Sequence, residues 1–279
     1  MGLHRPAEAE AACREAIRLS PTFADAQALL ALVLAGSGRL GEAEAACREA
    51  LRLDPTLAEA HFVLGFVLVL SQRFAEAEAA AREAIRLQPI LAEAHYILGF
   101  ALAGLKRIPE AEAACRESIR RDPTVAEAHW ILGMVLTESS RVAEAEAEFR
   151  ETIRLNPSLA DAHDRLGLLL VGSNRLSEAE AEYRVVIRLN PIAADTHNHL
   201  GVALFRLKRY AEAEAAYRES IRLDPTRAIV HNNLGETLFQ LKRYREAEAA
   251  VREAARLDPA YRTQANVAKV ARWLNREGH

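Results

Sequence analysis

Six histidines recur in this chain at a constant interval: His61, His95, His129, His163, His197 and His231. Imidazole is the side chain for metal binding and for proton transfer near neutral pH, so the spacing decides which chemistry is open. Successive packed helices stand about 10 Å apart, whereas the ligands of one zinc ion all lie within about 2.0–2.1 Å of it. A ladder with one histidine per copy cannot share an ion, and its members read as packing residues. The sharper candidate is DTHNH (195–199), where Asp195 and His199 lie four apart on one helical face and His197 points elsewhere. Two ligands without a third make no site, so no metal is expected.

Cys13, Cys47 and Cys115 fall at one repeated position that Ala81, Phe149, Tyr183 and Val251 fill in other copies. A slot accepting those side chains is a core slot, whereas reactive thiols sit in exposed, electropositive surroundings. An odd number of cysteines, with no apolar signal region in MGLHRPAEAE, gives the expectation of a reducing cytoplasm. There is no glycine-rich phosphate loop, metal motif or nucleophile elbow. Glutamates present in every copy are solvated charges rather than general acids. No catalytic residue and no cofactor is expected, and the chain does not read as an enzyme. A net charge of −3 gives no electrostatic case for nucleic acid or an anionic membrane surface, and no run of apolar residues is long enough to span a bilayer.

The elements that must position these side chains follow from one period. Prolines stand at 21, 55, 89, 123, 157, 191, 225 and 259, each 34 residues after the last, and self-similarity at a fixed period decides architecture before any local reading. Each copy reads as two helices. The first opens just after its proline and stops in a polar turn such as LSQR (70–73). The second runs from about Ala75 to Leu87 and ends before the next proline. In it Ala77, Ala81, Ala84 and Ile85 form an apolar stripe at spacings of three and four. Glutamates at 44, 78, 112, 146, 180, 214 and 248 precede arginines by four residues, the order that laces an exposed face with weak ion pairs.

With Leu64, Gly65, Leu68, Ala77, Ala84 and Pro89 in one copy and like residues in the others, the pattern resembles the tetratricopeptide repeat family over nearly the whole chain. Histidine where the family often has tryptophan, and Ala31 in place of a glycine, are packing departures. The resemblance implies an all-α, right-handed superhelical solenoid of antiparallel helix pairs whose first helices line the concave side. Stacking agrees with the physics, since one pair cannot bury its own apolar faces. On this frame 1–20 is a lone second helix of a partial repeat, 21–258 holds seven helix pairs, and 259–279 is a capping helix because Lys269 and Arg272 replace the repeat's glycine and leucine.

The concave face should be lined by residues seven, eight and eleven after each proline, which share a helical face. These are Phe62, Val63 and Phe66, then Tyr96, Ile97 and Phe100, then Trp130, Ile131 and Met134, with Leu29 and Leu32 continuing the trend in the first copy. In the last three copies the positions turn polar and include Arg165, Asn198, His199, Asn232 and Asn233. The expectation is a non-catalytic scaffold that binds a protein or peptide partner in a groove, apolar in repeats 1–4 and polar in repeats 5–7. An apolar stretch there suits an amphipathic helix or bulky side chains of an extended segment, and asparagine amides suit its backbone. No three successive copies supply the Lys, Asn and Arg of the family's carboxylate clamp. Two alternatives stand beside this. One is a recognition arm of a larger enzyme system such as a glycosyltransferase; the other is a homo-oligomer using the apolar face and the open end at Ala9, Cys13 and Ala16.

Overall fold

Each repeat proline from 21 to 225 sits inside a tight turn rather than at the head of a helix. In Asp54-Pro55-Thr56-Leu57 the Asp54 carboxylate accepts from the Thr56 backbone N–H at 2.8 Å and from its hydroxyl at 2.7 Å, and Leu57 N–H donates to the Asp54 carbonyl. Proline is preset for such a turn and its acidic neighbour closes it, so the first helix starts three residues after the proline. The same device recurs at Asp122 and Asp224.

A computed structural model describes residues 6–263 and places fifteen α-helices among them. The first is α1 (Pro6–Leu19). First helices of the repeats are α2 (Ala24–Gly36), α4 (Ala58–Leu70), α6 (Ala92–Gly104), α8 (Ala126–Glu138), α10 (Ala160–Gly172), α12 (Ala194–Arg206) and α14 (Ala228–Gln240). Their partners are α3 (Leu40–Leu53), α5 (Phe74–Leu87), α7 (Ile108–Arg121), α9 (Val142–Leu155), α11 (Leu176–Leu189), α13 (Tyr210–Leu223) and α15 (Tyr244–Leu257). Pro259–Thr263 forms a short 3-10 turn; the rest of the expected capping helix lies outside the described residues. The chain divides into two compact units, Met1–Leu155 and Asn156–His279.

Within a repeat the two helices are joined by a three-residue turn, too short for anything but an antiparallel return. Gln72 adopts φ 58°, its N–H donates to Val69 O at 2.9 Å, and Arg73 N–H donates to Leu68 O at 2.9 Å, a Schellman closure of the helix end. Glycine performs this in the first repeat alone, at Gly38. The repeat glycine has another task. A Cβ on Gly133 would lie 2.8 Å from the Phe149 ring, and one on Gly167 would lie 2.5 Å from the Tyr183 ring. Phe149 and Tyr183 are fully buried, so the missing side chain is the space they fill.

The glutamate face is more than a solvated stripe. Arg39, Arg73, Arg107, Arg141, Arg209 and Arg243 each hold a glutamate of their own helix pair and reach back to one in the preceding repeat: Glu10, Glu44, Glu78, Glu112, Glu180 and Glu214. Arg107, for instance, donates to both Glu78 oxygens at 2.8 and 2.7 Å and to Glu110 at 2.7 and 2.5 Å. One guanidinium thus joins neighbouring second helices, the planar fork suited to two carboxylates.

Candidate functional site

The first helices present two different faces. In the N-terminal unit, Val63, Ile97 and Ile131 are 4%, 0% and 1% exposed. Ile97 Cγ2 lies 3.0 Å from the place a Cβ on Gly65 would take, so the residue eight after the proline drives into the preceding first helix. There α2, α4, α6 and α8 pack closely on one another. Tyr96 is also buried. These four side chains form the seam between helices and have little surface left to offer. Leu29, in the same repeat position, has no preceding first helix to enter among the described residues and stands 53% exposed.

What remains half-buried is a row of large apolar groups: Leu32, Phe62, Phe66, Phe100, Trp130 and Met134. Phe62 meets Tyr96 edge-on with ring centroids 6.3 Å apart, and Phe100 meets Trp130 likewise at 6.0 Å, the geometry that aligns ring edges with ring faces. Each ring is steadied on one side and open on another.

In the C-terminal unit the same positions hold hydrogen bonds. His199 Nδ1 contacts Asp164 Oδ1 at 3.1 Å, Thr196 Oγ1 donates to the same oxygen at 3.2 Å, and Asn233 Nδ2 donates to Asn198 Oδ1 at 3.2 Å. Arg206 is spent on Val171 O and Asn174. Asp195, matched by spacing with His199, pairs instead with Arg227, so the two residues of the metal pair go to different partners. Among the described residues no group of three or more metal-ligating side chains forms. Asp164 orients His199 as a base is oriented, yet among the described residues no nucleophile bonds its Nε2. Asn198 and Asn232 are buried, and Arg165 is exposed. The first helices α10, α12 and α14 touch each other only lightly.

The histidine ladder is structural: His61, His95, His129, His163, His197 and His231 each direct Nε2 to the carbonyl of their repeat's proline at 3.0–3.2 Å. Two carry a carboxylate as well. His129 Nδ1 lies 2.6 Å from Glu148, and His163 Nδ1 lies 2.6 Å from Glu182. Burial works against a charged His129, but the bonds to Glu148 and Pro123 outweigh it and its pKa is raised. His163 is raised by Glu182 against its own burial, whereas burial lowers His95, which has no such acid. Sequence reasoning missed these pairs, although the signal was there: glutamate at 148 and 182 where 80, 114, 216 and 250 are alanine. Cys13, Cys47 and Cys115 are buried free thiols, and burial pushes Cys47 and Cys115 up to about 12. No helix of the described residues is long and apolar enough to cross a membrane.

Comparison with solved structures supplies the fold. The Cut9 and Hcn1 assembly of the APC/C superposes with a TM-score of 0.72 at 17% identity, over 96% of this chain and 52% of that one; the chain spans about half the length of that neighbour. PilF of Pseudomonas aeruginosa gives 0.64 at 22% identity, over 72% of this chain and 92% of that one. A TPR protein of Thermus thermophilus, TTC0263, gives 0.58 at 21%, over 65% and 99%. Comparison with curated protein sequences returns no match. Tetratricopeptide repeat profiles match residues 1–58, 62–126, 117–160, 165–228 and 204–270. With the turn, glycine slot and helix pairing repeated along that length, the chain belongs to the tetratricopeptide repeat family.

Proposed function

We propose that this chain is a non-catalytic scaffold whose N-terminal unit holds an apolar peptide segment or the apolar face of a helix against Phe62, Phe66, Phe100, Trp130 and Met134, with Leu29 and Leu32 at one end. The family's fold is in general a protein–protein interaction scaffold. The observation that carries the more specific assignment is the half-buried row itself: large side chains on successive first helices that keep open surface, with Phe62, Phe100 and Trp130 held by ring contacts. Covering such a side chain is worth about 1.5–3 kcal/mol, so a partner that covers several gains a specific dock. The C-terminal unit, with Arg165, His199 and Asn233 half-buried or exposed on its first helices, would take polar groups of the same class of ligand.

The test is selection of peptides from a displayed library on the wild-type chain, followed by titration. Phe66→Glu with Phe100→Glu should abolish binding of the selected peptides while circular dichroism stays unchanged. Peptides that bind the double variant as well as the wild type would remove the proposal.

A second reading is favoured by one observation. Ala9, Ala12, Cys13, Ala16, Phe23 and Leu29 line an almost wholly apolar cleft of about 320 Å³ between α1 and α2, the surface that receives a first helix in the later repeats of this unit. Self-association there predicts a mass that rises with concentration in light scattering and falls to one chain with Leu29→Asp. A single-chain mass throughout would dismiss it.

A further inference from the structure

Seven second helices carry a glutamate three residues before an arginine near their C-terminal ends, and all seven pairs are bonded: Glu15 with Arg18, Glu49 with Arg52, Glu83 with Arg86, Glu117 with Arg120, Glu151 with Arg154, Glu219 with Arg222 and Glu253 with Arg256. The helix α11 breaks the rule. Its arginine is Arg188, but the acid is Val185. Arg188 is exposed and has no carboxylate partner among the described residues.

Arg188 stands at the rim of a cleft of about 470 Å³ between α11 and α13, floored by Ile187, Leu200, Leu204 and Ala216. His197 also lines it, 9% exposed. Its Nε2 is bonded to the Pro191 carbonyl at 3.2 Å, and a carbonyl only accepts, so Nε2 carries the proton. Nδ1 has no partner among the described residues. In the two preceding repeats that nitrogen has one, Glu148 or Glu182 at 2.6 Å. The equivalent residue here is Ala216, a lining residue of the cleft.

Two carboxylates are therefore missing along this cleft: one on α11 that would hold Arg188, and one on α13 that would hold His197. Arg188 also faces His163, and the other acidic neighbour of His197, Glu219, is already bonded to Arg222. Elsewhere at most one of these acids is replaced; in this cleft both are. The remaining charges at its mouth are satisfied internally. Arg184 takes Glu180 at 2.8 Å, Glu212 takes Arg209 at 2.6 Å, and Glu219 takes Arg222 at 2.6 Å.

We propose that the cleft between α11 and α13 is a second binding site, for an acidic peptide whose apolar side chain sits on Leu200 and Leu204 while its carboxylate bridges Arg188 and protonated His197. Burying the apolar group excludes water from the ion pair, which strengthens it. The mouth also holds Glu212 and Glu219, which disfavour a doubly charged phosphate and leave a single carboxylate as the better match.

The test uses the full chain and a fluorescein-labelled peptide, Gly-Leu-Glu-Leu-Gly capped at its C-terminus, beside its glutamine counterpart, read by fluorescence polarisation. The glutamate peptide should saturate, and the glutamine peptide should bind about 10–100-fold more weakly, the loss of a charge-assisted hydrogen bond. Val185→Glu and Ala216→Glu supply the missing acid from within, so each should weaken the glutamate peptide by a similar factor with helicity and melting preserved. Arg188→Met should do the same. Phe66→Glu with Phe100→Glu should leave this affinity unchanged, which separates the site from the N-terminal face. Absence of saturable binding to the wild type, equal binding of the two peptides, or full affinity in Val185→Glu would overturn the proposal.

Discussion

Val63, Ile97 and Ile131 in the N-terminal unit occupy the same repeat position as Arg165, His199 and Asn233 in the C-terminal unit, and the two sets do opposite things. The β-branched set enters the preceding first helix and draws α2, α4, α6 and α8 together. The polar set cannot enter an apolar seam without losing hydration. His199 and Asn233 are instead bonded across to Asp164 and Asn198, and α10, α12 and α14 keep only light contact. One position per repeat thus sets how first helices meet, and through that which neighbouring side chains keep open surface. In the N-terminal unit the seam holds up a row of rings; in the C-terminal unit the polar groups are themselves the surface.

The largest expected effect breaks that contrast at its centre. Ile97→Ala opens a cavity at a fully buried site and should cost about 2–5 kcal/mol in urea unfolding. Arg165→Ala, at the same position in an exposed setting, should stay within about 0.5 kcal/mol. Similar losses from both would mean that the seam does not depend on this position.

The glycine slot gives the next effect. Gly133→Ala and Gly167→Ala force a Cβ to within 2.8 Å of Phe149 and 2.5 Å of Tyr183, and overpacking of this kind costs about 1–3 kcal/mol. Gly65→Ala should cost less, because it faces Ala81 rather than a ring and its nearest contact is a methyl group at 3.0 Å. Equal penalties at Gly65 and Gly167 would show that backbone approach, not the opposing ring, demands the glycine.

The histidines sharpen the comparison through pH. His129 and His163 have folded pKa values raised above the ordinary 6.5, so their contribution is complete below about 6.5 and is lost as pH rises through the folded value. His95 is lowered; its contribution is present above about 6.5 and is lost as pH falls through that range. The N-terminal unit therefore holds one histidine of each sign, and the C-terminal unit holds His163. Glu148→Ala and Glu182→Ala should each remove part of the gain in melting temperature between about pH 8 and about pH 6. An unchanged pH profile in both variants would dismiss the pairing as a stability term.

The repeat, the helix pairing and the absence of strands among the described residues were legible because one period of 34 residues carries proline, glycine and alanine to fixed positions. The aromatic members of the candidate face were legible for the same reason. What spacing on one helix did not reveal was depth across the neighbouring helix. Val63 and Phe66 share a face of α4, yet one is sealed and the other half-open, since the residue eight after the proline is driven into the preceding first helix while the ring beside it meets its neighbour by one side only. The arginine bridges were hidden too: Arg73 to Glu44 spans 29 positions in the chain, a distance that local charge patterning does not reach. Asp195 and His199 show the converse, a pair correct in spacing whose partners both come from other repeats.

The smallest effect concerns the turns that close the first helices. Ser140 adopts φ 58° in the N-terminal unit and Asn174 adopts φ 60° in the C-terminal unit. A left-handed residue other than glycine costs about 1–2 kcal/mol, and glycine returns about 0.5–1 kcal/mol of that through its greater freedom in the unfolded chain. Ser140→Gly should therefore stabilise by up to about 1 kcal/mol. Asparagine tolerates this conformation better, and the Asn174 side chain also accepts from Arg206 at 3.0 Å, so Asn174→Gly loses a contact while relieving little strain and should show no gain. Urea unfolding of the two variants reads the difference. A gain at Asn174 as large as that at Ser140 would mean that the Arg206 bond contributes nothing to the C-terminal unit, and that its first helices stay apart without help from their polar groups.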